Sequence, residues 1–435
     1  MRRIRTRLRL VALGTALTAA LPLALTAPAA AAQERPTAPS PVAVEEARLS
    51  LAAPREILRR SGFDEIGPEF ARGLAATRSE GAAKRYVGRA ARALWERAVD
   101  RVQGRGPAGG DLSRDDDRPL YWARLEMTRA LREWQPSFAL SDGGRAALAG
   151  ALERASRGED SIELPPGRGV TRVLVTGFDP FQLDADPRRS NPSGASALAL
   201  DGTTVRTASG RAVRIETAVI PVRWSDFAAG TVERTLLPHF RPGPRQVDLF
   251  TTVSQGRPGR FDVERTNGAW RGGYPDNARE SRTETVPIPE GVPTVRPQPQ
   301  WTGTTLPYEA LAGASTGPYP VHDNTAVTEI PAGGGAPVER PDGPTPGSTA
   351  RAGGGGNYLS NEIAYRATLL RDAVAPSLPG GHLHTPVLEF GPGNTDPKTG
   401  TVTDPAFVRN RLAIVGQLRE LVRTAVEAGC QWPGA

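Results

Sequence analysis

The chain has 435 residues and one cysteine, so an internal disulfide is excluded and stability must come from a packed core. Its 54 basic side chains outnumber 47 acidic ones by seven, but five arginines fall within residues 1–32, where there is no acid. With those set aside, 49 basic face 47 acidic residues with no basic stripe, which argues against nucleic acid as a partner.

The first element is an export signal. "MRRIRTRLRL" is a basic start, and "VALGTALTAALPLALTAPAAAA" is an apolar stretch ending in small residues. Residues 1–32 are expected to be removed after Ala32, giving a secreted protein with no transmembrane span after cleavage; the alternative is a membrane anchor. The adjacent Arg2 and Arg3 are compatible with either the general or the twin-arginine export route. Residues 33–42, "QERPTAPSPV", form a proline-rich linker.

From 43 to 160 the spacing predicts helices. "EGAAKRYVGRAARALWERAVDRV" places Val87, Ala91, Leu94 and Ala98 on one face, with most arginines opposite. Ser141 or Asp142 offers a cap to a later helix. The role of this region is open: a pro-segment, a lid or a docking module.

Near residue 168 the texture changes. "RVLVTGF", "VRIETAVIPV" and "QVDLFTTVS" read as buried strands, and "WSDFAAGTVERTLLPHF" between them as one helix capped by Ser225 or Asp226. "NYLSNEIAYRATLLRDAV" is helical, "HLHTPVLEF" extended, and "DPAFVRNRLAIVGQLRELVRTAVEAG" a long closing helix. Strands alternating with helices over 168–435 predict an α/β domain, interrupted by low-complexity loops at 278–304 and 331–356. Cys430, in the tail after the last helix, reads as a terminal residue rather than a nucleophile.

Three places carry chemistry by residue type. Ser360 follows the run Gly353 to Gly356; at a helix start its hydroxyl would sit beside free backbone N–H groups able to hold an oxyanion. The plain alternative is an N-cap serine. His382 and His384 are two apart in a strand and so share a face, as a general base, a metal pair or structural histidines. No carboxylate cluster accompanies them, so no metal is expected. Glu264 is either half of a surface ion pair with Arg265 or the carboxylate that orients a histidine.

Together these segments resemble pyroglutamyl peptidase I, the pyrrolidone-carboxylate peptidase family. "VLVTGFDPF" followed by "NPSG" resembles its opening turn, and "SQGRPGRFDVERTNG" its glutamate motif. "GGNYLSNEI" is similar to its nucleophile motif AG-x-Y-V-C-N, and "LHTP" to its histidine motif I-H-x-P, all in the family's order from about Val170 onward. The resemblance implies a three-layer α/β/α domain around a twisted, mostly parallel sheet, preceded here by the helical region. It implies a peptidase without a cofactor that removes N-terminal pyroglutamyl residues from blocked peptides. By position it puts Ser360, His384 and Glu264 in the catalytic roles, and Phe178, Phe181 and Asn191 at the substrate ring. Two departures stand out: serine replaces the nucleophilic cysteine, and Gln182 and Leu183 replace paired glycines. A hydroxyl cannot be held pre-ionised as a thiol can, so Ser360 must give its proton to His384 as it attacks. The alternative to a Ser-His-Glu hydrolase is a catalytically silent relative that binds peptide ends.

Overall fold

The computed structural model describes residues 41–166 and 169–429. The expected signal 1–32, nearly all of the linker 33–42, and Cys430 lie outside the described residues.

Six helices come first: α1 Pro41–Glu46, α2 Ala52–Ser61, α3 Ile66–Ala75, α4 Glu80–Val102, α5 Arg118–Glu133 and α6 Asp142–Ala155. Val87, Ala91, Leu94 and Ala98 of α4 are all buried. Ser79 caps α4 and Ser141 caps α6, each hydroxyl accepting an N–H from the first turn. In α5, by contrast, Leu120 to Leu125 are buried without a break, so this helix has no solvent face over that stretch. The reason is its position. The core of the helical region continues into Leu183, Ala197, Leu198, Val219 and Val402 of the following domain, and residues 40–435 form one compact unit.

The second half is built on a seven-stranded sheet. Its strands are β1 Val170–Phe178, β2 Thr203–Arg206, β3 Ala212–Ile220, β4 Leu249–Gln255, β5 Phe261–Glu264, β10 Val321–Asn324 and β14 Gly380–Thr385, in the order β10-β5-β14-β4-β1-β3-β2. β1, β3, β4 and β14 run parallel, while β2 and β5 pair antiparallel with β3 and β14. The helices are α7 Pro192–Leu200, α8 Trp224–Ala228, α9 Thr231–Phe240, α10 Tyr308–Gly313, α11 Leu359–Val374 and α12 Pro405–Gly429.

Alternation along the strands makes the three layers. Val173, Val175 and Leu383 face one side and pack with Phe407, Ile414 and Leu418 of α12. Leu174 and Phe250 face the other, where α9 and α11 supply Val232, Leu236, Ile363 and Ala367. The α/β domain expected from the strand–helix alternation, and the three-layer α/β/α arrangement around a mostly parallel sheet that the resemblance implies, are therefore observed, with β2 and β5 making the sheet mixed. No helix among the described residues is long and apolar enough to cross a membrane.

Two local expectations are corrected. "WSDFAAGTVERTLLPHF" is two helices, α8 and α9, because Gly230 between them adopts φ 78°, which breaks the helical path. Neither expected cap forms there: α8 starts after Arg223, without a side-chain cap bond. The segments 278–304 and 331–356 are not plain loops. β6 Thr266–Gly268 pairs with β9 Trp301–Gly303, and β7 Trp270–Gly272 with β8 Thr283–Thr285. β11 Val327–Ile330 is flanked by β12 Val338–Arg340 and β13 Thr349–Ala352. Buried Glu329 organises that small sheet by accepting from Arg340 Nε at 2.8 Å and from Thr345 N at 2.7 Å.

Candidate active site

The site lies where the parallel strands β1, β4 and β14 end, the edge at which open α/β sheets place their ligands. Strand register assembles it. Leu383 points to the α12 side, so His382 and His384 point to the α11 side. On antiparallel β5, Phe261 and Val263 belong to the α12 layer, leaving Asp262 and Glu264 on the same side as the histidines. Glu264 pairs across the ladder with His382 but its side chain reaches diagonally to His384. Oε1 of Glu264 and Nδ1 of His384 are 2.6 Å apart, and both side chains are buried. Glu264 is therefore not the partner of Arg265, which instead meets Asp323 at 2.9 Å.

The second oxygen of Glu264 is also fixed. Oε2 accepts from Asn324 Nδ2 at 2.7 Å, and the same amide donates to the Gly354 carbonyl at 3.1 Å. Asn324 ends the edge strand β10 and did not stand out in the sequence; only its parallel register with Glu264 reveals it. The glycine run explains how the carboxylate fits. A Cβ on Gly354 would lie 2.1 Å from Glu264 Oε2, and one on Gly355 would lie 3.0 Å from His384 Cε1. The glycines are thus needed by the pair itself.

Ser360 is the second residue of α11, not its cap; Tyr358 holds the cap position. The N–H groups of Leu359, Ser360 and Asn361 accordingly have no carbonyl a turn earlier in the helix, and they sit at its positive end. Asn361 fixes this start, accepting from Gly268 N at 2.9 Å and donating to Gly268 O at 2.8 Å. The hydroxyl of Ser360 is half-buried and donates to the Gly355 carbonyl at 3.1 Å, rather than to His384. Gly355 is thus the common neighbour of the serine and the imidazole.

Beside Ser360 is a small pocket open to solvent, with a cavity volume of about 30 Å³, lined by Phe178, Phe181, Asn191, Tyr358 and Ser254 among others. All three residues expected at the substrate ring line it. Phe178 stacks on Phe227 behind it, and Phe181 and Tyr358 have ring centroids 6.0 Å apart. Asn191 is at the wall, with its amide spent on structure. Nδ2 donates to Asp179 O at 2.9 Å, and Oδ1 accepts from Ser193 N and Oγ. Gln182 takes φ 60°, the left-handed conformation that glycine adopts most readily, and its amide donates to Tyr274 Oη at 3.1 Å.

His382 has a different part. Its ring nitrogens lie 2.8 Å from Thr252 Oγ1 and 2.9 Å from Ser254 Oγ. Burial, and to a lesser degree His384 beside it, hold its pKa well below the usual imidazole value, so it is neutral and structural. Among the described residues no three His, Cys, Asp or Glu side chains gather as metal ligands.

Family models describe two parts of the chain. The PA0049 N-terminal domain matches residues 26–153, and the PA0049 C-terminal domain matches 172–297 and 319–389. The "Uncharacterized protein PA0049" of Pseudomonas aeruginosa is 35% identical over 472 residues, which span 86% of this chain and 85% of that protein. Among solved structures, a mutant pyrrolidone carboxyl peptidase from Pyrococcus furiosus aligns at 20% identity and a TM-score of 0.37, over 59% of this chain and 99% of its own. A second mutant of that peptidase aligns at 21% identity and 0.38, over 60% of this chain and 99% of its own.

Proposed function

The chain belongs to the PA0049 family, and we propose that it is an exported serine hydrolase that removes N-terminal pyroglutamyl, or closely similar, residues from blocked peptides. The observation that carries the reading is the buried Glu264–His384 pair at 2.6 Å, set against a helix start that presents Ser360 beside an aromatic pocket. The sequence motifs shared with pyroglutamyl peptidase I support the substrate class. The basic, apolar and small-residue order of residues 1–32 supports export.

In this reading the substrate's lactam enters between Phe178 and Phe181. The Ser360 hydroxyl leaves the Gly355 carbonyl and turns to His384. Its oxygen bonds to the carbonyl carbon while its proton passes to Nε2 of His384. Glu264, held by Asn324, keeps Nδ1–H directed at itself and stabilises the imidazolium. The first N–H groups of α11 hold the oxyanion. The C–N bond then breaks, and the proton on Nε2 goes to the departing amine. Water, deprotonated by the same imidazole, releases the acyl group and restores Ser360.

A second reading has its own observation: Ser360 donates to Gly355 and not to His384. A protein resting in that state would bind peptide ends without cleaving them. Hydrogen bonds of unliganded sites often tighten only with substrate, which favours the hydrolase. Wild type, Ser360→Ala and Ser360→Cys, each given a pyroglutamyl-amide reporter and a fluorophosphonate probe, decide the matter. The hydrolase reading expects turnover and labelling in wild type, with both lost in the alanine variant. Turnover confined to the cysteine variant, with no labelling of wild type, would establish the silent binder.

A further inference from the structure

The wall of the pocket is held from outside the α/β domain. Phe178 and Phe181 flank Asp179 and Pro180, so whatever fixes Asp179 fixes both rings. The Asp179 carboxylate is buried between two guanidiniums: Oδ1 accepts from Arg124 of α5, and Oδ2 from Arg157 Nη1 at 2.6 Å, just past α6. Arg157 is itself pinned by Glu153 at 2.8 Å. A second anchor is Asp117, at the head of α5. Its Oδ2 accepts from Asn191 N at 2.9 Å, and Oδ1 from Ser190 Oγ. A third runs from Arg48, whose Nη1 donates to Asn277 O at 2.7 Å, while Asn277 Nδ2 donates to Pro180 O at 2.9 Å. None of these bonds involves Ser360, His384 or Glu264.

We infer that the helical region 43–160 is the mould of the substrate pocket, with Arg124, Arg157 and Asp117 as positioning residues for the Phe178–Phe181 turn and Asn191. Charge-assisted bonds to a buried carboxylate fix a short turn more firmly than its own few backbone bonds can. The region therefore governs which ring is bound, and the relay on β5, β14 and α11 works without it. This assignment rests on the hydrolase reading for its kinetic consequence, but not for its structural one.

The test uses full-length wild type, Arg124→Met and Arg124→Lys. Arg124→Met leaves Asp179 paired with Arg157, which also holds Glu153, so the buried carboxylate keeps one guanidinium partner. Expected are a rise of about tenfold or more in KM for the pyroglutamyl reporter, a kcat within about twofold, and a smaller KM rise in the lysine variant. The fluorophosphonate labelling rate of Ser360 stays near wild type, while hydrogen exchange quickens at the amides of Phe178 and Asp179, which donate to Ser193 Oγ and Ile220 O. A folded Arg124→Met with unchanged KM and unchanged exchange overturns the inference. So does a kcat and labelling rate that fall in step with binding, because that marks general loosening. If wild type never turns over the reporter, the hydrolase reading has failed by itself. Exchange at the turn then decides this inference, faster supporting it and unchanged refuting it. Should the methionine variant not fold, the lysine variant carries the same comparison.

Discussion

In the proposed hydrolase, Glu264 is the side chain on which the chemistry turns. It is wholly buried and accepts from two directions, from His384 Nδ1 and from Asn324. A carboxylate there selects the tautomer that leaves Nε2 free, and a neutral amide would not. Glu264→Gln is expected to keep KM near wild type and to lower kcat by about 10³- to 10⁴-fold, measured with the pyroglutamyl reporter. A loss under about tenfold would show that the pair is structural. The sequence made this residue legible through a motif and not through its local setting, since Glu-Arg after a strand ordinarily reads as a surface pair. Asn324 was not legible at all. Its stretch "HDNT" has no motif, and its role arises only because β10 lies in parallel register beside β5. The cap reading of Ser360 failed by two residues: α11 begins at Leu359, placing the hydroxyl inside the first turn.

At the scale of elements, the run Gly353 to Gly355 is packed tightly against the site. In the sequence these glycines stood out as the run that leads into Ser360. In the fold, Gly354 lies against Glu264 and Asn324. Gly354→Ala is therefore expected to force the carboxylate from His384, costing about 1–3 kcal/mol of stability from overpacking. Labelling of Ser360 should fall by at least about 10²-fold, since the relay loses its geometry. Gly333→Ala is the control: its Cβ would meet nothing within 4 Å, and it should match wild type in both denaturant melts and labelling. Equal behaviour of the two variants would refute the crowding argument. The long helices α4 and α12 were legible because each buries a periodic face of its own. The strands inside 278–304 and 331–356 were not, because segments of three or four residues acquire their pairing from distant partners, as β9 does from β6.

At the scale of the whole molecule, the helical region was legible as helices but not as a partner. Amphipathic spacing shows that a face is buried and cannot show against what. The joint is ionic as much as apolar: Arg118, Arg124, Arg157, Arg188 and Arg411 are all fully buried beside aspartates and glutamates. Such a molecule responds to pH through many buried groups, and the sign of the response follows from their directions. Burial, aided by Asp116, pushes Asp117 up to about 6. Burial, aided by Asp201, pushes Glu216 to about 7, and burial with Asp64 does the same for Glu126. Each binds its proton more tightly folded than unfolded, so stability falls as pH rises from the ordinary carboxylate range of about 4 toward 7. His382 and His239 act oppositely. Burial keeps both rings neutral in the fold while unfolded imidazoles charge below about 6.5, so these two lose stability in acid. Glu46, Glu159, Asp201 and Asp276 are also raised by burial, so the carboxyls outnumber the histidines. Below about pH 4 the sign reverses again. Asp184 is held low by Arg279 and Arg48; Glu153 is held low by Arg157 and Arg223 against its burial, and both lose their pairs on protonation. Stability should thus peak near pH 4–5, with Tm at pH 5 about 5 °C above that at pH 8 at constant ionic strength. Glu216→Gln, which keeps the side chain's shape and removes its titration, should flatten the fall between pH 5 and 7. A Tm that holds level or climbs from pH 5 to pH 8 would mean that these carboxyls ionise freely in the fold, and that the joint between helices and sheet is far wetter than its burial implies.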